Sequence, residues 1–395
     1  MKKTIKDIEV KGKRVIVRCD FNVPLNKAGE ITDYIRITSA IPTIKYLIEH
    51  DAKIILMSHL GRPAGEPNME YSLQPVAEEL DQLLQMNITF ISSNRVVDDN
   101  VRQAVAKMED GEVILLENVR FRKEETENDP EFAKELASLA DIFVEDAFGA
   151  AHRAHASIEG IARYIPGVSG FLLEREVKFL GNALDNPLRP FLAIMGGAKI
   201  GDKILVIEKL LDLVDSLIIG GGMAYTFIKA SGHEIGKSLY EEEKLDLAKM
   251  LIKKAKEKNV KLLLPLDIVA AREFSNVVAF TSVDVDKIPK DMMGLDIGKN
   301  SIGLFVEEIN RSETIFWNGP MGVFEMSNFA EGTFEIAKAM AISKGVTIIG
   351  GGDSAAAVLQ FGLSDRMTHI STGGGASLEF IEGRELPGIA ILEDK

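Results

Sequence analysis

Ten short apolar runs divide this chain, and each stops at a loop of glycines or charged residues. In the first half the stops read RCDFN (Arg18–Asn22), SHLGRP (Ser58–Pro63), ENVRF (Glu117–Phe121) and EDAFGAAHRAH (Glu145–His155). In the second half they read MGGAK (Met195–Lys199), GGGM (Gly220–Met223), PLD (Pro265–Asp267), WNGPMG (Trp317–Gly322), GGGDS (Gly350–Ser354) and STGGGAS (Ser371–Ser377). The runs are rich in Val and Ile and do not alternate, as befits strands buried on both faces of a parallel sheet. Ligands of such sheets bind beyond the carboxyl ends of the strands, which is where every one of these loops falls. One half supplies Arg and His side chains there, and the other supplies bare amides with a few Lys and Asp. That division suggests two lobes, one holding a small anion by charge and the other a nucleotide phosphate chain by its amides.

Composition narrows the reading. A length of 395 residues exceeds the roughly 250–300 at which single cores stop growing, so more than one domain is expected. The net charge of −14 leaves no basic excess to displace counterions, which argues against nucleic acid as a partner. In so acidic a chain, arginines gathered at strand ends point to a local anion site. The single cysteine, Cys19, excludes an internal disulfide and sits in an apolar run, where it reads as a small buried hydrophobe. The early positive charge of MKKTIKDIEVKGK is followed by no unbroken apolar run, so no signal peptide is expected. No run approaches the ~20 apolar residues of a membrane span. A soluble, cytoplasmic protein is expected.

Strands are expected at Arg14–Arg18, Lys53–Ser58, Glu112–Leu116 and Asp141–Val144, then at Phe191–Met195, Ser216–Ile219, Val260–Leu264, Thr314–Trp317, Val346–Ile349 and His369–Ser371. Helical spacing fills the gaps, at Thr38–Glu49, Ser72–Leu84 and Asp129 to about Ala140, with Asp129 as cap and Pro130 at the first helical position. In the second half it falls at Asp202–Val214, Glu241–Lys258, Asn328–Ser343 and Asp353–Phe361, the last capped by Asp353 and stopped by Gly362. The segment Phe171–Pro190 reads as a helix that ends at Asn186-Pro187 and joins the halves. The fold class is therefore α/β, with two lobes, each a doubly wound parallel sheet flanked by helices, joined by a linker helix and hinge. The expected division is residues 1–170, a linker at 171–187, and residues 188–375.

The motifs differ in weight. GHEIGKS (Gly232–Ser238) is one residue short of a phosphate-binding P-loop and reads as a surface turn. The glycine clusters lack G-x-G-x-x-G spacing, against a nicotinamide enzyme. His152 and His155 have no nearby partners to complete a metal site, so an anion-contacting or structural role is expected. GGGDS is stronger, because its glycines let a ligand approach the backbone and Asp353 stands where a phosphate-bound Mg²⁺ needs a carboxylate. STGGGAS offers amides without an acid, which suits an anion directly. Lys199 and Lys203, read as one turn apart at a helix start, oppose the helix dipole unless phosphates lie between them. Arg36, Arg62, Arg120 and Arg153 stand in four loops with His59 and His152, a pattern suited to phosphate and carboxylate.

Taken in order, RCDFNVPL, SHLGRP, LLENVRF, EDAFGAAHRAHAS, MGGAKIGDKI, GGGMAYTF, MGLDIG, WNGPMGVFE, GGGDS and STGGGASLEFIEGRELPG resemble the phosphoglycerate kinase family over essentially the whole chain. The resemblance implies reversible phosphoryl transfer between 1,3-bisphosphoglycerate and ADP, with Mg²⁺ carried on the nucleotide, by a cytoplasmic monomer that acts on 3-phosphoglycerate and ATP/ADP. It assigns Asp20, Asn22, Arg36, His59, Leu60, Gly61, Arg62, Arg120 and Arg153 to the substrate, with His59, Arg62, Arg120 and Arg153 at its phosphate end and Arg36 at the reacting carboxyl. It assigns Gly197, Lys203, Gly221, Gly294, Asn318, Pro320, Glu325, Gly351, Gly352, Asp353 and Ser354 to the nucleotide, with Asp353 toward the metal. Arg36, Lys199 and the amides of Gly373, Gly374 and Gly375 would stabilise the phosphoryl group in transfer. It implies hinge bending around Phe171–Pro190 and near Ser371–Thr372, and return of residues 376–395 to the first lobe. Tyr34, Glu145 and Asn300 depart from the family's usual pattern, and Glu145 is expected to weaken anion binding.

The residue chemistry leaves two other readings open. A different two-lobed acyl-phosphate kinase would use the same loops on another acid. A binding protein that closes on a phosphorylated metabolite would bind without turnover.

Overall fold

The computed structural model describes residues 2–395; Met1 lies outside them. The chain divides into two compact units. One holds the chain up to Lys178 and again Glu385–Lys395, and the other holds Phe179–Arg384.

The first unit is built on β1 (Arg14–Arg18), β2 (Lys53–Met57), β3 (Thr89–Ile91), β4 (Val113–Leu116), β5 (Ile142–Glu145) and β6 (Gly167–Ser169). They form one parallel sheet in the order β3-β4-β2-β1-β5-β6. Val15 aligns with Ile54 on one side and Ile142 on the other. Val15, Ile16 and Val17 are fully buried, as the unbroken apolar pattern of β1 requires. The helix Pro130–Ala137 begins as its sequence dictates, with Asp129 Oδ1 accepting from the Phe132 amide at 2.9 Å.

The second unit contains β7 (Phe191–Met195), β8 (Ser216–Ile219), β9 (Lys261–Leu263), β10 (Asp267–Ala271), β11 (Phe280–Asp284), β12 (Met293–Ile297), β13 (Thr314–Asn318), β14 (Val346–Gly350) and β15 (His369–Ile370). Its parallel sheet runs β15-β14-β13-β7-β8-β9, the strand order of dinucleotide-binding folds read backwards. Between β9 and β13 the chain inserts a separate antiparallel sheet, β11-β10-β12. The sequence reading missed this sheet, as well as β3 and β6. β11 is exposed along most of its length and lacks the apolar run by which the others were found.

Several expectations need correction. Asp353 is not a helix cap: Gly351, at φ 83°, takes that place, and Asp353 lies in the first turn of Gly352–Gln360. Lys199 and Lys203 do not share a helical turn, because a 3₁₀ turn (Gly201–Lys203) precedes the helix Ile204–Leu210 and Lys199 lies in the loop before it. The chain rejoins the first unit at Glu385 rather than after Gly375. The return is pinned there by backbone bonds of 2.9 Å from Gly388 to Ala151 and 3.0 Å from Glu393 to Gly167.

Candidate active site

In the first unit the strand order reverses between β1 and β5, so the loops after these strands flank the crevice in which such folds bind ligands. Asp20, just beyond β1, is buried and accepts a hydrogen bond from Arg36 Nη1. Asn22 Oδ1 accepts from the Gly61 amide at 2.8 Å, tying the β1 loop to SHLGRP. Gly61 is required here by its φ of 61° and by the Tyr71 ring, whose nearest carbon would lie 2.3 Å from an added Cβ.

Asn118 does the corresponding work for Arg120. Its Nδ2 donates to the carbonyls of Leu60 and Tyr71, each at 2.8 Å, and its Oδ1 accepts from the Arg120 amide at 3.0 Å. Arg120 Nη1 then reaches the Gly61 carbonyl at 2.9 Å. Its Nε is buried with no hydrogen-bond partner among the described residues. Burial, and next the neighbouring Arg18 and Arg153, push its pKa down to about 10, so it remains a cation near neutral pH.

Arg62, Arg120, Arg122, Arg153 and His155 line a pocket of about 360 Å³ whose walls contain no carboxylate. Arg122 is partly neutralised by Glu124 at 3.1 Å and packs over the Phe132 ring at 4.7 Å. Arg62 is exposed, and Arg153 Nε donates to His152 Nε2 at 3.2 Å. His59 is buried, and its pKa is held well below the usual histidine range by burial and then by Arg18, Arg120, Arg153 and Arg36. It is therefore neutral.

Two fully buried glutamates behave oppositely. Glu125 is pushed up by burial, but His155, Arg18 and Ser157 outweigh this and hold it below the usual carboxylate range. Glu145 is raised well above that range by burial, despite Arg18 and the Ala147 amide. Burial therefore favours the neutral form of Glu145, which bears on the expectation that its charge weakens anion binding. Its neighbour Asp146 accepts from the amides of Leu172 and Leu173 at 2.8 and 3.2 Å, at the start of the helix Phe171–Asp185.

In the second unit the sheet reverses between β7 and β13, and the loops there are glycine-rich. An added Cβ on Gly196 would meet the Pro320 carbonyl at 2.2 Å, and one on Gly319 would meet Gly196 O at the same distance. Gly221, at φ 64°, leaves 2.6 Å between such a Cβ and Gly197 N. Lys203 Nζ donates to Gly196 O at 2.7 Å, Asn318 Oδ1 at 2.6 Å and Asn318 O at 3.2 Å, clamping the ends of β7 and β13. Asn318 Nδ2 is buried without a hydrogen-bond partner among the described residues and lies beside Gly351. Ser354 Oγ is buried and accepts from the Gly319 amide at 2.5 Å.

The structure thus brings Gly197, Lys203, Gly221, Asn318, Pro320, Gly351 and Ser354 together. Lys199, Glu325, Gly352 and Asp353 are exposed nearby in the chain. Gly294 lies on β12, where its amide donates to Ser238 Oγ at 3.0 Å, so GHEIGKS is a turn packed on the inserted sheet. The Gly373 amide is already bonded to Ser371 Oγ at 3.1 Å, whereas Cβ atoms on Gly374 and Gly375 would meet open space. Arg18, Asn118, Arg122 and Glu125 were not assigned from sequence, and His155 was read only as anion-contacting or structural. For Arg18 the signal was present, since it opens the RCDFN loop.

A family model described as phosphoglycerate kinase matches residues 5–384. Phosphoglycerate kinase of Clostridium tetani is 60% identical over 395 residues, covering 100% of this chain and 98% of that one. The enzyme of Clostridium botulinum strain Eklund 17B is 60% identical over 394 residues, covering 100% and 99%. The solved structure from Coxiella burnetii superposes with a TM-score of 0.89 at 44% identity, over 99% of this chain and 98% of that one. That from Pyrococcus horikoshii gives 0.83 at 32% identity, over 99% and 98%.

Proposed function

Because the chain belongs to the phosphoglycerate kinase family, we propose that the first unit binds 3-phosphoglycerate and the second binds the nucleotide, in a cytoplasmic monomer. The reaction is reversible phosphoryl transfer from 1,3-bisphosphoglycerate to ADP, giving 3-phosphoglycerate and ATP, with Mg²⁺ carried by the nucleotide. The observation that carries the assignment of units is the arginine pocket without a carboxylate at the strand ends of the first. Guanidinium groups suit phosphate, which they bind bidentately.

In the ATP-consuming direction a carboxylate oxygen of 3-phosphoglycerate attacks the γ-phosphorus in line, the bond to ADP breaks, and no proton moves. The nucleophile needs no general base, since a carboxyl with a pKa of about 3.5 is already ionised near neutral pH. What the chain supplies is alignment and positive charge. Arg36, held by Asp20, faces the reacting carboxyl. His59, Arg62, Arg120 and Arg153 hold the phosphate end, with Asn22, Leu60 and Gly61 shaping the loop. Lys199 and the Gly373–Gly375 turn steady the group in transfer; the open space at Gly374 and Gly375 fits this role better than the bonded Gly373 amide. Lys203, Asn318 and the loops at Gly197, Gly221, Pro320 and Gly351–Ser354 cradle the nucleotide, with Gly294 and Glu325 also toward it. Asp353 is exposed in the first turn of its helix and suits the magnesium of that substrate.

Both ligands must meet for transfer, so this reading places a bending motion at Phe171–Pro190 and near Ser371–Thr372. Small-angle scattering with both ligands should report compaction, and an unchanged radius of gyration would count against the motion. The activity is tested by ATP- and Mg²⁺-dependent turnover of 3-phosphoglycerate, coupled to glyceraldehyde-3-phosphate dehydrogenase and NADH oxidation. Absence of turnover in folded protein would overturn the assignment.

A further inference from the structure

Arg18 closes β1 with a side chain that is entirely buried. Its Nη1 donates to the Cys19 carbonyl, its Nε donates to Ser157 Oγ at 2.8 Å, and its Nη2 faces His59 Nδ1 at 3.0 Å. Ser157 is itself held by Glu125. The Ser157 amide donates to Glu125 Oε2 at 2.8 Å and its hydroxyl donates to Oε1 at 2.6 Å. Glu125 is fully buried, and its Oε1 lies 3.6 Å from His155 Nδ1. Arg18, Ser157 and Glu125 are absent from the residues assigned to either ligand above.

The direction of each bond is set by chemistry. A serine hydroxyl has one hydrogen, and giving it to Glu125 leaves Ser157 Oγ to accept from Arg18. A guanidinium only donates, so His59 Nδ1 must be the acceptor. A neutral imidazole then carries its hydrogen on Nε2. We propose that Arg18, oriented by Ser157 and Glu125, locks His59 as its Nε2–H tautomer, so that this neutral ring presents a donor to the substrate anion. The inference rests on the assignment of His59 to 3-phosphoglycerate made above.

The tautomer matters because it decides the sign of the contact. Nε2–H attracts an anionic oxygen, whereas a lone pair at Nε2 repels it. His59 cannot solve this by protonating, since Arg18, Arg36, Arg120 and Arg153 all disfavour a further positive charge. Arg18, Ser157 and Glu125 are positioning residues in this scheme. A purely structural role for Arg18 would also explain its burial, but would set no requirement on the histidine tautomer.

Long-range ¹H–¹⁵N correlation on the full chain labelled with ¹⁵N-histidine reads the tautomer directly. The chain has six histidines, and His59→Gln assigns the signal. The expected wild-type pattern is a protonated Nε2 and an unprotonated Nδ1, unchanged from about pH 5.5 to about pH 8. Ser157→Ala removes the acceptor that orients Arg18. It should produce mixed His59 tautomers and raise KM for 3-phosphoglycerate by about fivefold with little change in kcat. Arg18→Met should do the same more strongly, about tenfold or more. If Arg18→Met fails to fold, Ser157→Ala and the wild-type spectrum still decide. A wild-type Nδ1–H tautomer, or an unmoved tautomer in Ser157→Ala, would overturn the relay alone. Altered tautomers with an unchanged KM would instead overturn the placement of substrate at His59.

Discussion

The two parallel sheets of this chain solve the same problem in opposite ways. In the first unit the loops at the strand ends carry buried charge, and their order depends on partners such as Asn118 and Glu125 reached through side chains. In the second unit the loops at the strand ends pass within reach of one another's carbonyls, and the room is made by lacking side chains at Gly196, Gly221 and Gly319. Charge in the first unit must be balanced against desolvation, and the buried acids are pushed in opposite directions: Glu125 down by its partners and Glu145 up by burial. At its glycine-rich loops the second unit relies instead on amides and on the clamping cation Lys203. Side-chain charge gives grip on a compact anion, and close backbone approach gives room for a long one.

The contrast can be broken in four places. The largest effect is expected at Lys199, an exposed cation in a unit that otherwise relies on amides. Lys199→Ala should lower kcat by about 10²–10³-fold, by analogy with loss of one transition-state donor, while thermal unfolding is unchanged. Steady-state kinetics beside calorimetry checks this, and a variant with normal kcat would remove Lys199 from the transfer step.

Next come the glycines, which separate fold from ligand. Gly221→Ala meets the Gly197 backbone at a positive φ and should cost more than about 2 kcal/mol in urea unfolding. Gly352→Ala meets nothing within 4 Å, so stability should hold while KM for ATP rises. Equal stability losses in both would erase the distinction. Arg62→Ala tests the first unit more gently, because this side chain is exposed at the pocket. Its KM for 3-phosphoglycerate should rise by about tenfold with KM for ATP unmoved.

The last test is a pH slope expected of both units. Burial raises Asp146 and Asp296 from 3.8 to about 7 in each case. A carboxyl whose folded pKa lies above its unfolded one stabilises fully below about pH 4, and that contribution fades as pH rises through about 7. Urea midpoints should therefore decline across this window, and Asp146→Asn or Asp296→Asn should each flatten the decline. A slope identical in wild type and both variants would rule these two groups out as its source.

Much of the site was legible because its chemistry sits in the residue types themselves. Of the four arginines read as loop residues at strand ends, Arg62, Arg120 and Arg153 line one pocket, whereas Arg36 lies in the first turn of the helix Ile35–Glu49 and is bonded to Asp20. The inserted sheet β10–β12 was not legible, since its strand β11 is exposed along most of its length and carries no apolar run, although β10 and the end of β12 are buried. Asp353 was misplaced as a cap because Asp is favoured there, whereas the positive φ of Gly351 moved the cap earlier. Lys199 and Lys203 were read onto one helical face because a 3₁₀ turn leaves no mark in composition.

By itself the sequence determined the buried strands, the loops at their ends and the anionic character of the ligands, because these follow from local pattern and residue type. Only the tertiary structure decided which acids are charged, which glycines serve the fold, and which way His59 points its hydrogen. Those properties depend on neighbours remote in the chain. Ser157 reaches Arg18 across 139 positions and Glu125 across 32. Desolvation and hydrogen-bond direction exist only once such groups are packed together.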